Sequence, residues 1–340
     1  MSDNITNQAA WQGGPGQELQ LGSSDAPLPA ANEVLIRNAA IAINPLDWLL
    51  QDYALLPWLS YPAILGSDVA GTIVAVGSSV ERLKVGDRVL GQAVGTTVNE
   101  KAQGAFQNYT IVLEHMAAPI PDRMEFSDAA VLPLGLGTAA GGLYGEKMLA
   151  LASPSHSPVA KDEVVLVWGG SSSVGANAIQ LAVASGYTVI TTASARNAEM
   201  LKSLGAIAVF DHASASIVQD VIEAMQGRRL AGTLHATGDI AASFAVVSQS
   251  EGVRLVATTL PPSADLPQGV EARHIAGTSL KDDAVGPMIY RDFLPQALEA
   301  GSFVPAPPAK VVGHGLEALQ GALHVLKAGV SAAKVVVTVS

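Results

Sequence analysis

Between residues 164 and 175 the chain reads Val164-Val165-Leu166-Val167-Trp168-Gly169-Gly170-Ser171-Ser172-Ser173-Val174-Gly175. An apolar strand pattern runs into a turn of small residues and then into a helix pattern, the arrangement of a dinucleotide site. Read as G-x-S-x-x-G, it keeps Gly170 for the tight turn and Gly175 for close helix–strand packing, with Ser172 in place of the middle glycine. Phosphates would sit on backbone N–H groups at the start of a helix Val174–Ser185, whose dipole favours negative charge. A second strand, Tyr187–Thr192, follows at the distance a right-handed crossover needs. It ends in Thr192-Ala193-Ser194-Ala195-Arg196-Asn197, without the Asp or Glu that accepts from a ribose 2′-OH in NAD sites. Arg196 can instead grip a 2′-phosphate through its fork of donors, helped by the Ser194 hydroxyl, which points to NADPH. The same residues would equally serve as a helix cap at Ser194 and a solvated first-turn arginine before a helix Asn197–Leu204.

Composition sets the limits around this turn. The 340 residues are 49% hydrophobic and 14% charged, enough for a large core in two domains. A net charge of −11 argues against nucleic acid or an anionic membrane as partner. The polar start Met1-Ser2-Asp3-Asn4 has no signal-peptide pattern, and no apolar run reaches the roughly 18 residues of a spanning helix. A cytoplasmic protein is expected. With no cysteine there are no disulfides, thiol nucleophiles or Cys-ligated zinc, and the seven histidines lack ligand spacing.

The elements that must position the turn fall into three regions. Residues from about 31 to 120 read as strands and turns, with Glu33–Asn38, Gly71–Val76 and Asp87–Leu90 between Gly, Pro and Asp punctuation. From Ser127 the pattern turns helical (Ser127–Leu132, Thr138–Lys147) and then alternates strand and helix to about Thr258. Further strands are expected at Ala208–Phe210, Gly232–Ala236 and Val253–Thr258, with helices near Ser216–Met225 and Ile240–Val247. The tail closes with a helix Gly315–Lys327 and a strand Lys334–Val339.

Three segments carry a family resemblance: Asn44-Pro45-Leu46-Asp47-Trp48, Gly66-Ser67-Asp68-Val69-Ala70-Gly71-Thr72-Ile73-Val74-Ala75-Val76-Gly77 and Val85-Gly86-Asp87-Arg88-Val89. Together they resemble the medium-chain dehydrogenase/reductase superfamily over nearly the whole chain. Ile64 to Gly71, Trp168 to Ser172 and Phe210-Asp211-His212 are most similar to the zinc-independent fungal enoyl reductases that act in trans with polyketide synthases, with quinone oxidoreductases as near relatives. The resemblance implies an α/β fold: a GroES-like β-rich catalytic domain of residues 1–126 and 278–340, and an inserted Rossmann domain, a doubly wound parallel sheet, of residues 127–277 that binds NADPH. Zinc alcohol dehydrogenases carry Gly-His-Glu where this chain has Gly66-Ser67-Asp68. Without that Lewis acid, reduction of a polarised C=C bond is the expected chemistry.

The resemblance also implies site residues. Asn44 would contact the nicotinamide ribose and Thr138 would face the nicotinamide, or serve only as an N-cap. Ser171, Ser172, Ser173 and Val174 would line the pyrophosphate, and Ser194, Arg196 and Asn197 the 2′-phosphate. His212 would stack on adenine or sit as a solvated loop residue, while Leu260, Thr278 and Ser279 would close on the nicotinamide. Tyr53, before Leu55-Leu56-Pro57, resembles the proton-donating tyrosine of mitochondrial-type enoyl thioester reductases, though an aromatic loop anchor reads the same way. Asp52 would oppose ionisation of that phenol if its carboxylate turned inward. Asp47 and Asp68 read as structural, at a turn and a strand start.

Trans-acting enoyl reductases resemble Asn-Pro-x-Asp-Trp-Lys, and here Leu49 stands after Trp48. Trp48, Leu49 and Leu56 would contact an apolar substrate, free or bound to an acyl carrier, or pack as ordinary core, with a polyketide synthase as a candidate partner and the protein a monomer or homodimer. The alternatives are a stand-alone quinone or small-enone reductase, a repurposed member that isomerises or cyclises, and an NADPH-binding protein without turnover.

Overall fold

The computed structural model describes residues 6–261 and 265–339, so the polar start Met1 to Asn4 lies outside the described residues. In chain order the strands are β1 (Asn7–Gln12), β2 (Gln20–Ser24), β3 (Glu33–Ala42), β4 (Ala63–Ile64), β5 (Asp68–Val76), β6 (Arg88–Gln92), β7 (Tyr109–Leu113) and β8 (Ala117–Pro119). Then come β9 (Glu163–Trp168), β10 (Thr188–Ala193), β11 (Ala208–Asp211), β12 (Arg229–His235), β13 (Leu255–Thr258), β14 (Glu271–His274), β15 (Ala309–His314) and β16 (Lys334–Thr338). Contacts divide the chain into two compact units, Met1–Leu134 with Tyr290–Ser340, and Gly135–Ile289.

In the first unit a seven-stranded sheet runs β15-β16-β3-β5-β6-β8, with β7 also paired to β3, and β2-β1-β4 form a smaller sheet. The ten-residue β3 is the spine. It pairs antiparallel with β5, β7 and β16, and its Val34, Leu35, Ile36 and Ile41 are fully buried. Helix Pro45–Asp52 follows directly. Proline suits its first position because the missing N–H would have no intrahelical partner there, and the helix stops at Tyr53, whose backbone is extended (φ −131°).

The second unit is a six-stranded sheet in the order β11-β10-β9-β12-β13-β14, parallel throughout. Strand β9 starts at the centre, the chain winds outward to one side through β10 and β11, and then returns to lay β12, β13 and β14 on the other. This is the doubly wound Rossmann order, with its switch point between β9 and β12, where such sheets bind ligands at the strand carboxyl ends. One face packs Val164, Leu166 and Trp168 against Phe244, Val247 and Val221 from the helices Ile240–Gln249 and Ile217–Ala224. On the other, helix Pro133–Tyr144 approaches helix Ser173–Ala184 so closely that a Cβ on Gly135 would lie 3.0 Å from Ser173 Cβ.

Candidate active site

The small-residue turn after β9 leads directly into helix Ser173–Ala184. Its positive φ falls on Gly169 (+84°), one residue before the expected tight-turn glycine. Gly175 is required for space, since a Cβ there would lie 2.3 Å from Gly169 O. Ser172 is the N-cap of helix Ser173–Ala184: its Oγ accepts the Gly175 N–H at 3.0 Å and donates to Gly169 O at 2.9 Å. The Ala176 N–H takes Ser172 O at 2.8 Å. A helix start leaves its first amides without intrahelical acceptors, and Ser173 and Val174 are the first two residues of this helix. Glycine cradle, half-buried Ser171 to Val174 and helix dipole together fit a pyrophosphate.

At the end of the neighbouring strand β10, Ser194 precedes a short 3-10 turn Ala195–Asn197, and Arg196 is exposed on it. Ser194 and Asn197 are half-buried, and Asn197 N–H donates to Ser194 O at 2.9 Å. His212, after β11, is exposed and 3.8 Å from Asp211. Leu260 is 41% exposed just beyond β13, its N–H on Thr258 Oγ1 at 3.0 Å. Thr278 precedes the 3-10 turn Ser279–Asp282 without a side-chain cap bond to it. Thr138 is buried in the second turn of helix Pro133–Tyr144, not at its start, so it is no N-cap.

In the first unit Asn44, Asp47, Asp68 and Lys334 form a buried cluster, none more than 4% exposed. Asp47 Oδ2 accepts the Asn44 backbone N–H at 2.7 Å, and Asn44 Nδ2 donates to Asp68 Oδ2 at 2.8 Å. Lys334 Nζ lies 2.8 Å from Asp68 Oδ2 and donates to Asn44 Oδ1. Asp68 Oδ1 accepts the Leu134 N–H at 2.6 Å, and the fully buried Tyr290 hydroxyl lies 2.8 Å from Pro133 O, so the cluster and Tyr290 hold adjacent residues at the helix start. Burial, aided by the like charge of Asp68, pushes the Asp47 carboxyl up to about 7. Reading the sequence misses Lys334, because a lysine opening a strand looks like any solvated edge residue.

Tyr53 is 55% exposed at the end of helix Pro45–Asp52. Asp52 does not turn inward: its Oδ2 is 2.6 Å from Lys327 Nζ, which also stands over the Trp48 ring at 5.7 Å. Trp48, Leu49 and Leu56 are each half-buried, while Leu55 and Trp58 are exposed, Trp58 donating Nε1–H to Thr96 O at 3.1 Å.

Comparison with known proteins places this geometry. Residues 30–122 match the alcohol dehydrogenase GroES-like domain, and residues 173–281 the family described as zinc-binding dehydrogenase. The chain is 46% identical to the dehydrogenase azaJ of Aspergillus niger, over 95% of this chain and 97% of that protein. It is 40% identical to the trans-enoyl reductase himH of Aspergillus japonicus, over 99% and 98%. An alcohol dehydrogenase superfamily protein of Novosphingobium aromaticivorans superposes with a TM-score of 0.80 at 25% identity, over 98% of this chain and 100% of that one. The CurK enoyl reductase shares the fold, with a TM-score of 0.76 at 21% identity over 98% and 99%.

The second family's description carries zinc, and the donor set here does not suit it. Ser67 offers no imidazole, and both Asp68 oxygens are committed to Leu134, Asn44 and Lys334, with an ammonium already beside the carboxylate. Among the described residues no three His, Asp or Glu side chains gather as metal ligands, so these residues do not fit a zinc ion. From the identity to full-length relatives and the two matched domains, the chain belongs to the medium-chain dehydrogenase/reductase superfamily.

Proposed function

We propose that the protein is an NADPH-dependent reductase of polarised C=C bonds, in enoyl thioesters or enones of secondary metabolism. The observation that carries the proposal is the turn after β9, which leads into a helix start at Ser173 and Val174, beside a strand that ends in exposed Arg196 and no acid. The relatives named trans-enoyl reductase support the choice of acceptor.

In this reading Ser171 to Val174 bind the pyrophosphate through backbone amides, and Ser194, Arg196 and Asn197 bind the 2′-phosphate. His212 would stack on adenine. Leu260, Thr278 and Ser279 would contact the nicotinamide, Thr138 would face it and Asn44 would hold its ribose. When bound, the reduced nicotinamide supplies a hydride for the β-carbon of the acceptor. The protein's own tasks are to orient the acceptor and to deliver a proton. Tyr53 gives its hydroxyl proton to the α-carbon of the resulting enolate, while Trp48, Leu49 and Leu56 hold the apolar chain. A polyketide synthase is the proposed source of a carrier-bound substrate. No helix among the described residues is long and apolar enough to cross a membrane.

The test is loss of reduced-nicotinamide absorbance with NADPH and, in turn, a crotonyl thioester, a simple enone and a benzoquinone. Oxidation with the thioester or enone, faster with NADPH than NADH, is the expected result. Turnover of the quinone alone makes the protein a quinone reductase, and tight NADPH binding without oxidation overturns the catalytic reading.

A further inference from the structure

The Asn44 side chain is held at both ends, and Lys334, which completes the hold, has no part in the function proposed above. Asn44 Oδ1 accepts from Lys334 Nζ at 2.5 Å, and Nδ2 donates to Asp68 Oδ2 at 2.8 Å. An amide can ordinarily exchange its oxygen and nitrogen by a flip. Here an ammonium, which only donates, takes one end and a carboxylate the other, so a single orientation survives. The Asn44 oxygen is shared by Lys334 and the helix-start amide of Asp47, and the amide keeps one N–H, a donor of fixed direction for a ribose hydroxyl oxygen.

Backbone pairing delivers the lysine: the Ile43 N–H donates to Val335 O at 2.9 Å, which sets the start of β16 against residue 44. Lys334 is 3% exposed. Replacing both partners of a buried ion pair by apolar groups of similar volume is often neutral for stability, so stability alone does not call for the lysine. What the ammonium adds is direction.

We infer that Lys334 is a positioning residue for the nicotinamide-ribose contact, acting through the orientation of the Asn44 amide. The inference rests on the NADPH reading above. It is tested by titrating wild type, Lys334→Met, Asn44→Ala and the double variant with NADPH and with 2′-AMP, which has no nicotinamide half. Each single variant is expected to weaken NADPH about tenfold and to leave 2′-AMP within about twofold, with the double variant no weaker than Asn44→Ala alone. Additive losses, or unchanged NADPH affinity in Lys334→Met, overturn the inference.

Removing one partner of a buried pair can prevent folding. The charge-balanced Asp68→Asn/Lys334→Met variant then replaces Lys334→Met in the same cycle, compared with its own Asn44→Ala derivative, and the same outcomes decide. A wild type that binds neither NADPH nor 2′-AMP overturns the dinucleotide reading and this inference with it. A wild type that binds both, with additive variants, overturns this inference alone.

Discussion

Asp47 Oδ2 accepts the backbone N–H of Asn44 at 2.7 Å, three residues earlier, in a place where neither residue is more than 4% exposed. The carboxylate closes the start of helix Pro45–Asp52, yet burial makes its ionised form costly and moves its pKa from 3.8 to about 7.

This sets a pH dependence. Between about pH 4 and 7 the folded protein holds a proton on Asp47 that the unfolded chain has released, so the folded state binds more protons and stability falls as pH rises. Urea unfolding should therefore show wild type losing a few kcal/mol between pH 5 and 8, as an order of magnitude, that Asp47→Asn does not lose. Parallel pH profiles for the two would refute the assignment.

Arg196 is the nucleotide discriminator in the proposed site. Arg196→Ala should raise the Kd for NADPH about tenfold to a hundredfold while leaving NADH within about twofold, as expected for removing a charge-assisted contact to the 2′-phosphate. Fluorescence titration with both nucleotides measures it, and equal weakening of the two would remove Arg196 from that role.

For Tyr53 the effect belongs in turnover. Tyr53→Phe should lower kcat about a hundredfold at unchanged NADPH affinity, the loss typical of a general acid. Full activity in this variant would leave Tyr53 as a loop residue.

Ser172 holds the turn through one acceptor and one donor contact. Ser172→Ala should cost about 1 kcal/mol of stability as a lost N-cap, read by chemical denaturation, and should weaken NADPH as the turn loosens. An unchanged unfolding midpoint would show that the cap contributes nothing.

The second unit was the more legible half in sequence, for a physical reason. Val164 to Trp168 is buried on both sheet faces, so it reads as an unbroken apolar run, and the glycines after it answer steric demands that leave no choice of residue. Strand β14 escapes the same reading. Its Glu271-Ala272-Arg273-His274 lies at the sheet edge with three residues exposed, and nothing in its composition alternates toward a core.

Helix Pro133–Tyr144 begins five residues before the expected Thr138, because Gly135 and Gly137 resemble loop residues. At Gly135, close packing against Ser173 outweighs the poor helix propensity of glycine. The Asp68–Lys334 pairing was illegible altogether. Its partners belong to β5 and β16, at distant points of the sequence, and only the sheet order brings them together. Asp47 is the third residue of helix Pro45–Asp52 rather than a turn residue, Asp68 opens β5 as expected, and their burial with a lysine is a property of the fold.

Strand β16 carries a consequence for biosynthesis. A chain emerging from the ribosome completes the second unit from one continuous stretch, whereas the first unit waits for residues 334–338 to seat beside β3 and bring a cation to Asp68. Until then its sheet has an open edge at β3 and a carboxylate without its counter-charge. The order of maturation is thus reversed from the order of translation: the unit whose strands are made first is the one that must be finished last.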